Sequence, residues 1–205
     1  SKITFIDGEK GILRYRGRDI EHLVSMQYSF LEVIYLLFYG NLPNKNELES
    51  FSSSVMEEYC IPQQVYDVVR SFSRDSHPMG ILSACFAALS AYYHNSEVVD
   101  DHLRCATLSI AKVPSIIAAI YRYIINKEVV LPDKNLSYSH NFVNMMFSDF
   151  FNDDTRNVIA NALDIIFILH ADHEQNASTA AVRLAGSTGA NLFACLGAGV
   201  VTLWG

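Results

Sequence analysis

Residues 77–93 constrain this chain most. After His77-Pro78-Met79, the residues Ile81, Leu82, Ala84, Cys85, Phe86, Ala87, Ala88, Leu89, Ala91, Tyr92 and Tyr93 leave a helix with no polar face. A helix apolar all round is buried inside a large core. Ser83, Ala84, Ala87, Ala88 and Ala91 are small enough to let neighbouring helices come close. Composition points the same way: half of the 205 residues are hydrophobic and 18% are charged, against roughly 25% charged in an average soluble domain. Disorder and collagen-like character are excluded. A chain of this length buries about 70% of its unfolded surface. The apolar excess therefore implies surface covered by another subunit or by more chain.

No stretch of about 18 residues lacks polar groups, so no membrane span is expected. The formal charge is −7, from 22 acids and 15 bases, without a basic block. That argues against a nucleic-acid partner. The N-terminus has neither a basic region nor an apolar leader core. Cys60, Cys85, Cys105 and Cys195 lie far apart, none in Cys-x-x-Cys, and three fall in apolar helical surroundings. Reduced thiols and a cytoplasmic location are expected.

Along the chain, residues 3–17 read as a β-hairpin, with Asp7-Gly8 supplying the positive φ of a tight turn. Residues 20–205 then read as helical almost throughout. Ser29 and Glu32 have capping-box spacing, and Gly40 with Pro43 marks the stop. Further helices are expected over 44–59, around 65–72, over 137–147 and over 153–169. The pattern from Asp100 to Asn126 carries Pro114, where a kink or break is expected.

The densest polar cluster is His170-Ala171-Asp172-His173-Glu174-Gln175-Asn176-Ala177-Ser178-Thr179, wedged between apolar stretches. Three readings are open. Asp172 could cap a new helix with Glu174 and Gln175 in its first turn. His170 and His173 could share a helical face and hold a metal, although no third ligand and no zincin pattern is present. A histidine at a helix start could instead point a donor at a carboxylate. The following Gly186-Ser187-Thr188-Gly189 is a turn rather than a phosphate loop. Gly197 and Gly199 weaken the next helix by roughly 1 kcal/mol each, so close backbone packing must compensate. His22, His77, His94, His102 and His140 are scattered and read as surface or structural residues. The corner Arg74-Asp75-Ser76-His77-Pro78-Met79 reads as a capping and ion-pair turn.

The run Leu169-His170-Ala171-Asp172-His173-Glu174-Gln175-Asn176-Ala177-Ser178-Thr179 with Val182-Arg183-Leu184-Ala185-Gly186-Ser187-Thr188-Gly189-Ala190-Asn191 resembles the signature region of bacterial citrate synthases. So do Phe5-Ile6-Asp7-Gly8 with Gly11 to Gly17, the corner at 74–79, and Leu136-Ser137-Tyr138 with Asn141-Phe142 and Asn144 to Phe147. The resemblance covers the whole chain in order. It implies an all-α fold: residues 1–205 would be part of a large multi-helix domain with a short N-terminal β-hairpin, lacking the small domain and most of the active site.

The resemblance further implies an acyltransferase that condenses acetyl-CoA with oxaloacetate and water to citrate and CoA in the tricarboxylic acid cycle. It implies no cofactor, acetyl-CoA being a substrate, and no metal. Subunits would pair as homodimers, or assemble as hexamers, through large-domain helices. His173 matches the family's oxaloacetate-binding histidine. The enolising histidine, a second catalytic histidine, the aspartate and the substrate arginines match no residue here, so no catalytic residue is expected within the chain and the segment alone is expected to be inactive. Glu57-Glu58-Tyr59 stands where NADH-inhibited members carry Arg-His-Thr, which implies weak or no NADH inhibition. Two alternatives stay open: 2-methylcitrate synthase, which takes propionyl-CoA, and a non-catalytic helical interaction module.

Overall fold

The computed structural model describes residues 1–204. Three short antiparallel strands open the chain in the order β1 (Thr4–Asp7), β2 (Ile12–Tyr15), β3 (Arg18–Asp19). The turn after β1 differs from expectation. It spans residues 8–11, its positive φ (+64°) falls on Gly11, and the Asp7 carboxylate accepts from the Lys10 amide at 3.1 Å. The third strand, absent from the sequence reading, forms because Arg16 (φ +50°) and Gly17 (φ +83°) make a two-residue turn whose twist suits a hairpin. The Arg16 guanidinium anchors that turn on the Leu37 carbonyl, at 2.7 and 3.2 Å.

Ten α-helices follow among the described residues: α1 (Ile20–Ser25), α2 (Phe30–Tyr39), α3 (Lys45–Glu57), α4 (Gln63–Ser71), α5 (Pro78–Tyr92), α6 (His102–Ile124), α7 (Tyr138–Phe147), α8 (Asp153–Leu169), α9 (Ala177–Gly186) and α10 (Leu192–Thr202). The α2 capping box is formed as its spacing implies: the Ser29 hydroxyl accepts from the Glu32 amide, and Glu32 Oε2 accepts from the Ser29 amide at 2.7 Å. Asn44 and Glu47 do the same for α3.

Helix α6 lies at the centre. It contributes Ala111 and Ala118 to a core shared with the hairpin, α1, α2, α3, α7 and α8. It contributes Leu108, Ile116, Ala119 and Ile120 to a second core with α4, α5 and α10. No break occurs at Pro114. Proline withholds the N–H that Ile110 O would accept four residues back, and the buried Tyr138 hydroxyl supplies the bond instead at 2.9 Å.

Helix α6 is long and apolar enough to cross a membrane by length and composition, but 61% of its most apolar window is buried against protein. Its buried polar groups are used locally. Ser115 Oγ donates to Tyr59 O at 2.7 Å, and Lys112 Nζ donates to the carbonyls of Glu58 (2.8 Å) and Cys60 (3.0 Å). Glu58 is no bare acid either, because its carboxylate accepts from Arg104 at 3.0 Å and Lys112 at 3.3 Å.

All-round burial of α5 is not realised. Ile81, Cys85, Phe86 and Leu89 face α4, α6 and α10, while Ala87, Ala91 and Tyr92 are exposed. Leu184, Val158, Leu131 and Leu203 are open as well. The small residues of α10 act as expected: a Cβ on Gly197 would stand 3.4 Å from Phe86 of α5, and one on Gly199 would stand 2.9 Å from Val182 of α9.

Candidate functional site

The polar cluster at 170–179 is a connection between α8 and α9. It contains no helix until Asn176, whose side chain accepts from the Thr179 amide at 2.9 Å. Asp172 therefore caps nothing, and Glu174 and Gln175 precede the helix. Asn176 takes the role because its oxygen stands three residues before a free first-turn amide. Glu174 adopts a left-handed backbone, φ +58°.

Three rings converge on the carbonyls of the last turn of α8, of which Ile166 O also accepts from the His170 amide at 3.1 Å. His170 Nδ1–H donates to Ile166 O at 2.8 Å, Tyr15 Oη–H to Ile168 O at 2.9 Å, and His173 Nε2–H to Leu169 O at 3.1 Å. The two imidazoles are exposed and stacked, 6.1 Å between centroids and 21° between planes. Tyr15 is wholly buried, and burial raises its phenol above the usual range. The Asp172 carboxylate accepts from the Thr4 hydroxyl, and the Asp172 amide reaches Tyr15 Oη at 3.4 Å. Beyond His173, Gln175 Oε1 accepts from Arg183 Nη1 at 2.7 Å.

This geometry defines what His173 can do. A carbonyl oxygen only accepts, so the ring nitrogen facing Leu169 O carries a proton. The exposed Nδ1 is then a lone pair on a neutral ring or a second donor on an imidazolium. The ring is not packed among aliphatic groups. A cavity of about 800 Å³ lies elsewhere, beside Tyr28, Tyr138, His140 and Asp164, and one of about 220 Å³ lies by Arg70, Arg74 and Lys127; neither is lined by His173. Among the described residues, no group of three or more His, Cys, Asp or Glu could hold a metal ion. The remaining histidines stay apart. His77 caps α5, accepting from the Met79 amide at 3.3 Å, and stacks on Trp204.

The family described as "Citrate synthase, C-terminal domain" matches residues 1–205. The chain belongs to the citrate synthase family. Solved citrate synthases share the fold over all of this chain. The enzyme of Pyrobaculum aerophilum is 35% identical with a TM-score of 0.89. That of Thermotoga maritima is 30% identical with a TM-score of 0.84. That of Thermoplasma acidophilum, solved as a ternary complex with carboxymethyl coenzyme A and oxaloacetate, is 31% identical with a TM-score of 0.90. The chain spans about half the length of each, 52–53%.

What the sequence reading missed is the reach of the hairpin. Thr4 and Tyr15 read as strand residues, yet their hydroxyls hold the His173 connection. The signal available was a threonine and a tyrosine on strands with no local partner for either hydroxyl.

Proposed function

We propose that this citrate synthase segment contributes His173 to the binding of oxaloacetate, in a polypeptide that condenses acetyl-CoA with oxaloacetate to citrate and CoA. The observation that carries the reading is the exposed His173 ring. One nitrogen is held by Leu169 O, and the other is free for a ligand. With Nε2–H so engaged, only the imidazolium can donate from Nδ1 to a ketone or carboxylate oxygen. A donor fixed in this way suits the alkoxide that develops when the ketone is attacked. The reading draws further support from membership of the family and from the oxaloacetate complex of the Thermoplasma relative.

The enolising groups and the remaining substrate contacts would come from outside these residues. The open apolar side chains on α5, α9 and α10 suit pairing of large-domain helices between subunits. A cytoplasmic location accords with four unpaired thiols, one exposed and three buried.

Steady-state kinetics on the protein extended to the length of its relatives tests the reading. His173→Ala should raise the KM for oxaloacetate and lower kcat by about two to three orders of magnitude. Unchanged values of both would overturn it.

A further inference from the structure

We propose that Thr4 and Tyr15 of the N-terminal hairpin are positioning residues for His173. This inference rests on the assignment of His173 to oxaloacetate. Residues 170–176 form neither helix nor strand, so no regular backbone aims the imidazole. The left-handed Glu174 next to it adds no such constraint. The direction of the ring must come from what anchors the connection, and the anchors lie on both sides of it.

On the near side, Tyr15 Oη donates to Ile168 O and meets the Asp172 amide. One phenol oxygen thus joins the end of α8 to the residue before His173. Thr4, 1% exposed, donates to the Asp172 carboxylate across 168 residues of sequence. On the far side, Arg183 of α9 holds Gln175. The His173–Leu169 bond spans the backbone that Tyr15 clamps. Loss of the clamp frees the ring to turn, and a misplacement of about 1 Å at a reacting centre costs on the order of a hundredfold. Strand packing alone asks nothing of a hydroxyl at position 4, where valine has the same shape.

The test uses the relative-length enzyme with Thr4→Val, Thr4→Ser, Tyr15→Phe and His173→Ala. Thr4→Val should raise the KM for oxaloacetate about tenfold or more and leave the KM for acetyl-CoA unchanged, and Thr4→Ser, which keeps the hydroxyl, should restore it. Should Thr4→Val fail to fold, Tyr15→Phe keeps the buried ring and carries the same expectation. A fall in melting temperature with an unchanged oxaloacetate KM in these variants would make the hairpin contacts purely structural and overturn the proposal. If His173→Ala raises that KM while Thr4→Val and Tyr15→Phe do not, only the clamp fails. If His173→Ala changes neither that KM nor kcat, the oxaloacetate assignment itself fails.

Discussion

The hydroxyl of Tyr138 donates to the carbonyl of Ile110 at 2.9 Å, and that carbonyl is the one Pro114 deprives of its helical partner. Burial and the nearby Asp164 raise the Tyr138 phenol above its usual range, so it remains a donor. Tyr138→Phe leaves a part-buried acceptor without this donor and should cost about 1 kcal/mol or more. In a Pro114→Ala background the new amide at 114 can serve Ile110 O, and the same substitution should cost less. Urea unfolding of the four proteins in a double-mutant cycle measures the coupling. Additive effects would refute the pairing.

Gly199 faces Val182 at a distance no Cβ tolerates. Gly199→Ala should destabilise by about 1–3 kcal/mol through overpacking, despite alanine's better helix propensity. Adding Val182→Ala should return part of the loss. Thermal melts of the two variants against the parent decide this, and a stabilised Gly199→Ala would be the contrary result.

Arg122 is almost wholly buried, and its Nη2 donates to Asp149 Oδ2 at 2.8 Å. That hydrogen bond is the largest influence holding the Asp149 carboxyl below the usual carboxylate range. A folded-state value below the unfolded one stabilises at neutral pH, and the contribution is lost as pH falls from about 4, the unfolded value, through the folded value. Asp149→Asn should therefore be less stable than the parent at neutral pH, with the gap closing under acid. Unfolding midpoints between neutral and acidic pH check the sign.

Cys60 is exposed, whereas Cys85 and Cys105 are buried, with thiols pushed up by desolvation to about 12 and about 11. A thiol reagent should label Cys60 rapidly. Cys85, Cys105 and the buried Cys195 should follow only on unfolding, because the thiolate is the nucleophile. Mass spectrometry of the native protein should then show one modification per chain at early times.

Local grammar was legible in the residues. Ser29 with Glu32 and the glycines of α10 did what spacing and size require. The failures share a cause. Pro114 does not break α6 because its compensating donor comes from Tyr138, in another helix. Asp172 caps no helix because α9 does not begin until Ala177, and its carboxylate accepts instead from Thr4, near the other end of the chain. Side chains one helical turn apart can be read from a sequence, but hydroxyls arriving from remote elements cannot. His173 could be singled out by resemblance; the nitrogen it leaves free could be seen only once Leu169 O was placed beside the other.

Helix α6 is a common wall, with Ala111 and Ala118 on one side and Leu108, Ile116, Ala119 and Ile120 on the other. Two packed regions with such a partition cannot melt one after the other, since whichever loosens first strips support from its neighbour. Amide protons in the middle of α6 should thus be the last to exchange with deuterium, and only when the entire molecule opens.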